Sequence, residues 1–340
     1  MTSRADFGET TTGSEVAKTF GDQIRGKTIL VTGVGPNGIG ATTVLAFASQ
    51  APKLLILASR TKAKLDAVAQ DVHEQYPGVR VEVVLLDLAS QGSVRAAAAE
   101  VSQLTDRLDI LVNNAALVIF TRQATAEGIE MQFGVNHIGP FLFTNLLLPL
   151  LRNAAKTNPP GATRIVSLTS AGHRLSPIRF SDYNLKSDNV PPEEDHVKPL
   201  AGAFGRTTED GYNGIVAYGQ SKTANILFTL YLQEHLSKQG ISSYTLHPGS
   251  IETDLSRDND EEMAATFAKV VKFWKTPDQG ASTTLVAATD PALNEIKGLY
   301  LNDCQFIEPT PHAKVSLSAD RLWKLSEELV GEKFDLDAQS

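Results

Sequence analysis

Lys27-Thr28-Ile29-Leu30-Val31-Thr32-Gly33-Val34-Gly35-Pro36-Asn37-Gly38-Ile39-Gly40 is the stretch that decides the fold. Its first five residues make a short apolar run rich in β-branched residues, the composition of a buried strand. A glycine turn follows, and Ala41 to Gln50 continues as a helix with Val44, Leu45, Phe47 and Ala48 available for an inner face. Strand, glycine turn, helix is the context a dinucleotide fingerprint requires. Glycines let the chain turn sharply and let a pyrophosphate approach the helix N-terminus, where N–H groups and the dipole favour an anion. Gly33, Gly38, Ile39 and Gly40 are the residues expected to hold it.

Further along, Asp87-Leu88 and Asn113-Asn114-Ala115-Ala116 each stand at the end of a strand-like run. Ligands of open parallel sheets bind outside the strand carboxyl ends, where an Asp and an Asn suit an adenine and a ribose. Helix N-caps and turns are the other common uses of these two residue types. The end of the second strand reads Leu57-Ala58-Ser59-Arg60-Thr61. It lacks the carboxylate that binds a ribose 2′-OH, and Arg60 offers a planar cation for a phosphate there. NADP(H), rather than NAD(H), is the cofactor expected.

Tyr218-Gly219-Gln220-Ser221-Lys222 sets a tyrosine and a lysine four apart, on one helix face. A phenol with pKa about 10 is a poor acid–base catalyst at neutral pH, and a nearby ammonium favours the phenolate.

Composition bounds the rest. The 340 residues are 42% hydrophobic and 21% charged, an ordinary globular balance. A net charge of −8 and a pI near 5.4 argue against nucleic-acid or anionic-membrane binding. Cys304 is the single cysteine, which excludes an internal disulfide and suits a reducing compartment. No signal peptide or membrane anchor is read, and the expected location is cytoplasmic. Phe141 to Leu151 is apolar but broken by Thr144, Asn145 and Pro149, and reads as a buried helix. No histidine has zinc-site spacing, so no metal is expected.

The remaining pattern alternates. Strands are expected near 53–58, 79–86, 109–113, 164–168, 242–246 and 298–301. Helices are expected near 62–75, 93–104, 125–150 with breaks at Gly139-Pro140 and Pro149, and 218–237. This is an α/β chain, one doubly wound parallel sheet in a single domain. Residues 1–25 are a lead-in in which Val16, Ala17, Phe20 and Ile24 suit one short helix, and 303–340 read as a tail. Forty-seven residues separate Ser170 from Tyr218. Within them, the insertion 185–211 contains Pro191, Pro192 and Pro199 and reads either as a substrate-access element or as a surface excursion.

In this order the motifs resemble the short-chain dehydrogenase/reductase family of Rossmann-fold oxidoreductases, over residues 26–302. The resemblance includes Asn136, Ser170 and His247-Pro248-Gly249-Ser250-Ile251-Glu252-Thr253. Three strings are similar to its retinol-dehydrogenase-like branch, which also holds the WW-domain oxidoreductases. They are Val135-Asn136-His137-Ile138-Gly139-Pro140-Phe141, Thr169-Ser170-Ala171-Gly172-His173-Arg174 and Tyr218 through Phe228. Two departures stand out: four residues rather than three separate Gly33 from Gly38, and Ala116 replaces a usual glycine.

The resemblance implies hydride transfer between a nicotinamide and a carbonyl or alcohol. Tyr218 is the acid/base, and Lys222 supports its phenolate and the nicotinamide ribose. Ser170, the second residue of its hydroxyl pair, polarises the carbonyl, and Asn136 positions a relaying water. Pro248, Gly249, Ile251 and Thr253 border the nicotinamide, and 252–275 form a lid. The lid carries an apolar stripe of Met263, Phe267, Val270, Val271 and Trp274, which equally suits simple core packing. Thr276-Pro277 opens another helix. The implied partner is a small, mainly apolar molecule, with a homo-oligomer possible. An idle nucleotide-binding Rossmann protein and a sugar-nucleotide epimerase are the other readings. The complete Ser170, Tyr218, Lys222 set speaks against the first, and the lack of a long substrate domain after Thr253 against the second.

Overall fold

The computed structural model describes residues 1–187, 189–197, 207–251, 271 and 273–337. Eight strands form one sheet: β1 Thr28–Thr32, β2 Leu54–Ser59, β3 Val81–Leu85, β4 Ile110–Asn113, β5 Thr163–Leu168, β6 Ile241–His247, β7 Tyr300–Asn302 and β8 Gln305–Ile307. Their order is β3-β2-β1-β4-β5-β6-β7-β8. All neighbours run parallel except β7 and β8. The chain therefore winds outward from β1 to β3, then crosses back to β4, and β1 and β4 lie side by side at the reversal.

The central strands are buried on both faces, which explains the unbroken apolar runs of β1 and β2, whereas β3 and β8 at the sheet edges are partly exposed. Leu30, Leu54, Ile56, Leu111 and Ile165 face one core layer, and Ile29, Val31, Leu55, Leu57, Val112 and Val166 the other. The second layer is covered by α1 Gly13–Thr19, α2 Ile39–Ala48, α3 Lys62–Gln75 and α7 Pro277–Thr289. The first is covered by α4 Gln91–Leu104, α5 Met131–Ala155, α6 Gly214–Leu236 and α8 Ser316–Val330. The fold is thus the doubly wound parallel sheet, in a single domain. The Thr276 capping box that opens α7 is complete, with Gln279 returning a bond to the Thr276 N–H.

Three elements differ from the sequence expectation. Residues 303–340 are not a simple tail, because β8 joins the sheet and α8 seals a core layer. The Trp323 ring stacks on Tyr231 at 4.1 Å and meets Phe141 edge-on at 4.8 Å. Helix α6 begins at Gly214, four residues early, because Asn213 caps it by accepting from Ile215 N and Val216 N. Helix α5 runs through both expected breaks. A wide π turn over Gly134–Ile138 feeds directly into Pro140. Pro140 has no N–H for the carbonyl of Asn136, and Asn225 Nδ2 supplies the missing donor at 2.7 Å. Among the described residues, α5 is the one helix long and apolar enough to cross a membrane, but it lies in the interior of the fold.

Of the insertion 185–211, only 185–187, 189–197 and 207–211 are described. Arg122 holds both of its ends, bonding Asn184 O at 3.0 Å, Leu185 O at 2.9 Å and the Asp210 carboxylate at 2.6 Å. The N-terminal segment docks along β8, where Gln305 Nε2 donates to Arg4 O and Phe7 O, at 2.9 and 2.8 Å. Thr2 Oγ1 reaches Gln305 Oε1 at 2.8 Å.

Candidate active site

The reversal between β1 and β4 opens a cleft of about 590 Å³. Gly33, Gly38, Ile39 and Gly40 line its floor, Arg60 and Asp87 one end, and Asn114, Ala115, Leu117, Val118 and Ile119 its far wall. Gly33 has φ of +70°, and a Cβ there would stand 2.6 Å from Ala115 Cα. A Cβ on Gly40 would stand 2.7 Å from Gly33 O and 2.8 Å from Asn114 Nδ2. Both positions therefore require glycine. The additional turn residue is absorbed by Asn37 in the left-handed region and a Gly38 N to Gly35 O bond of 3.3 Å. Gly38 gives α2 no side-chain cap, so the first N–H groups of the helix remain for an anion. This cradle fits the pyrophosphate of a dinucleotide.

Arg60 is exposed at the cleft edge beside Ser59, Thr61 and Lys64. Lys64 escaped the sequence reading. The signal was present, since a lysine in the first turn of a helix opposes its dipole. Asp87 Oδ1 accepts from Ala89 N at 3.0 Å, a turn role that still leaves the side chain on the cleft. Leu88 lines the cleft and backs its carbonyl against Gly139, where a Cβ would stand 2.7 Å away.

Asn114 serves the scaffold. Its Nδ2 donates to Thr32 O at 2.7 Å and Gly33 O at 3.3 Å, while Asn114 N and Ala115 N donate to Thr32 Oγ1, both at 3.1 Å. These bonds tie the glycine turn to β4. The side chain of Asn136 is likewise occupied. It accepts from Leu117 N at 2.8 Å and donates to Leu117 O at 3.0 Å and Ser221 Oγ at 2.9 Å. It clamps the far wall of the cleft to α6, one residue from Lys222.

Ser170 follows β5, and Tyr218 and Lys222 lie on α6. Burial pushes the pKa of the Tyr218 hydroxyl up, against a smaller lowering influence of the Ser170 side chain. Both side chains border Gly172, where a Cβ would stand 2.9 Å from Tyr218 Cε1 and 3.5 Å from Ser170 Oγ. Ser170 Oγ also accepts from Gly172 N at 3.1 Å. Lys222 Nζ sits 5.5 Å from the Tyr218 ring centre and donates to Leu168 O at 3.2 Å. Among the described residues the buried ammonium has no carboxylate partner, and desolvation lowers its pKa to about 7. Thr169, the other hydroxyl of the pair, is buried and donates to Lys222 O at 2.7 Å.

Beyond β6, Pro248 and Gly249 lead to Ile251, which packs over Gly280 beside Ile39. Lys275 N donates to Ser250 O at 2.9 Å, and Lys275 Nζ pairs with Asp303 at 2.6 Å. This fixes one side of the site to the β7–β8 turn. Thr253 lies outside the described residues, as does most of the expected lid. Of its stripe, Val271 and Trp274 are described, and Trp274 is 47% exposed, so its indole is not core.

The three histidines near the motifs are buried or half-buried and held neutral by desolvation. His137 is pushed down to about 3, and His173 and His247 to about 4. No cluster of metal-ligating side chains occurs among the described residues.

Residues 27–184 match the short chain dehydrogenase family. Human retinol dehydrogenase 13 is 35% identical over 314 residues, covering 91% of this chain and 86% of its own. An uncharacterized protein of Mycobacterium paratuberculosis is similar in structure, with a TM-score of 0.65 at 28% identity, covering 92% of this chain and 96% of that one. A short chain dehydrogenase of Burkholderia cenocepacia J2315, solved in complex with NADP, has a TM-score of 0.58 at 24% identity, over 82% of this chain and 97% of that one. The last likeness bears on the fold alone.

Proposed function

The chain belongs to the short-chain dehydrogenase/reductase family, in its retinol-dehydrogenase-like branch, and from that premise we propose that it is an NADP(H)-dependent oxidoreductase that interconverts a carbonyl and an alcohol on a mainly apolar small molecule. The family is one of oxidoreductases that use a nicotinamide cofactor. The observation that carries the finer reading is the convergence of Ser170 and Tyr218 on Gly172, with Lys222 buried one helical turn away and 5.5 Å from the Tyr218 ring.

Arg60 and the uncapped start of α2 would hold the phosphates, with Lys64 beside Arg60. The absence of a carboxylate from Leu57 to Thr61 favours the 2′-phosphate form. When bound, the dinucleotide supplies a hydride to the carbonyl carbon or takes one from the alcohol carbon. Ser170 Oγ orients the substrate oxygen and stabilises the charge that develops on it. The Tyr218 hydroxyl gives its proton to that oxygen in reduction and recovers it in oxidation. Burial keeps the phenol protonated, the form that donates. Lys222 adds positive charge beside the phenolate as it forms. Leu117, Val118, Ile119, Met131 and Val135 give the far wall its apolar character. The name of the human relative, a retinol dehydrogenase, agrees with an apolar alcohol or aldehyde.

Tyr218→Phe keeps the ring and removes the acid. Turnover on an aldehyde and ketone panel should fall by about 10²-fold or more, with NADPH still bound. Near-normal turnover, with chemistry rate-limiting, would overturn the assignment.

A further inference from the structure

We propose that His173 is a positioning residue, which fixes Ser170 by bonding its main chain to the C-terminal segment 308–314. The proposal rests on the reading of Ser170 and Tyr218 given above. His173 is fully buried in the short turn Ala171–Leu175, directly after Ser170. Its Nδ1 meets Ser170 O at 2.7 Å, and its Nε2 accepts from Thr310 N at 3.3 Å. A carbonyl only accepts and an amide only donates, so these two partners dictate the neutral tautomer with its proton on Nδ1. The surroundings agree, since burial holds the ring neutral.

The main chain of His173 is as constrained as its ring. Its carbonyl accepts from Thr223 Oγ1 at 3.0 Å and lies 2.9 Å from His312 Nε2. Thr223 is the neighbour of Lys222, and the Tyr300 ring stands edge-on to the imidazole at 5.3 Å. Through its ring and its carbonyl, one buried residue thus joins three things: Ser170, the helix that carries Tyr218, and a segment more than a hundred residues downstream in sequence. Ser170 O also accepts from His173 N at 3.1 Å, so the ring and the main chain of His173 hold the same carbonyl, and the ring ties it to the segment beyond.

The variants to compare are His173→Ala, His173→Asn and Thr310→Pro. Asn keeps a donor at the place of Nδ1 but loses the bond to Thr310. Thr310 already has φ of −60°, so proline fits there; it deletes the N–H and, with it, the hydroxyl that lies 3.1 Å from His312 Nε2, a second loss that Thr310→Val measures separately. The alanine variant should lose about 10- to 100-fold in kcat, the cost of a small misplacement, with the Michaelis constant for NADPH within about twofold. Asn should restore most of that loss, and Thr310→Pro should lose less than alanine. A substrate-free measurement accompanies these: with 13Cζ-labelled tyrosine, the Tyr218 titration should move upward in His173→Ala, because the Ser170 side chain that draws it down is no longer held in place.

Unchanged kcat and an unchanged Tyr218 titration in the alanine variant would overturn the proposal. So would equal losses in Ala and Asn that track their melting temperatures, the mark of lost packing. Should His173→Ala fail to fold, Thr310→Pro decides, and normal turnover there refutes the link to segment 308–314. Normal turnover in Tyr218→Phe would instead refute the proposed chemistry and leave the Tyr218 titration in the His173 variants as the measure of positioning.

Discussion

Replacing Lys222 with methionine should make the protein more stable at mildly acidic pH while abolishing its turnover. The folded chain holds this ammonium in a dry site, which lowers its pKa from 10.5 to about 7. Between those two values the unfolded chain binds the additional proton. The contribution of this residue to stability is therefore least below pH about 7 and recovers as pH rises toward about 10.5. At about 1.4 kcal/mol per pKa unit, the cost to the folded state is about 5 kcal/mol at pH about 6 and about 1.4 kcal/mol at pH about 9.5. Methionine fills a similar volume without the charge but leaves Leu168 O without its donor, a loss of about 1–3 kcal/mol at any pH. The variant should then exceed the wild type by about 2–4 kcal/mol near pH 6 and hold no advantage near pH 9.5. Urea denaturation of both proteins at the two pH values measures the gap. A variant less stable than wild type near pH 6, by an amount that does not change with pH, would show that the ammonium is not held against a desolvation cost.

Other outcomes test the cleft and the scaffold. Arg60→Ala should raise the Michaelis constant for NADPH by about tenfold or more and leave NADH nearly unaffected; equal efficiency with both cofactors in the unmodified protein would remove the case for NADP(H). Gly40→Ala should cost about 1–3 kcal/mol and weaken cofactor binding, because its methyl would be driven into Gly33 O and Asn114. Gly35→Ala, whose methyl would meet only Lys64 Cδ at 3.5 Å, should be nearly neutral in a parallel thermal melt. Asn225→Ala should lose about 1–3 kcal/mol in a denaturant titration, since the Asn136 carbonyl beside Pro140 is left without its donor.

Much of this was legible in the chain because buried parallel strands announce themselves as apolar runs, with Gly33, Arg60, Asp87, Asn114 and Ser170 just past their ends and Tyr218 and Lys222 one turn apart on α6. Helix α3 was read to its last residue, since its charged face and the spacing of Leu65, Val68 and Val72 are unambiguous. Elsewhere local rules misled. Pro140 and Pro149 signal breaks, yet α5 continues, because a distant asparagine repairs one orphaned carbonyl. Strand β8 is too short to show alternation, and its place is set by pairing with β7. Helix α8 did carry a periodic stripe in Ala319, Leu322, Trp323, Ser326 and Val330, and the tail reading overlooked it. The duties of Asn114 and Asn136 were beyond sequence, because their partners are backbone atoms of other loops.

The docking of residues 2–7 on Gln305 has a consequence for the order in which the molecule is made. Thr2 and its partner are 303 residues apart along the chain. On a ribosome adding about 5–20 residues per second, the opening segment waits some tens of seconds for its seat to exist. During that interval Phe7, which the finished protein buries, is in water. The Gln305 side chain likewise has none of its N-terminal partners until the first residues return to it. A polar replacement of Phe7 would burden this last closure, so its harm should appear as a slow, aggregation-prone final phase of refolding rather than as a defect in the cleft between β1 and β4.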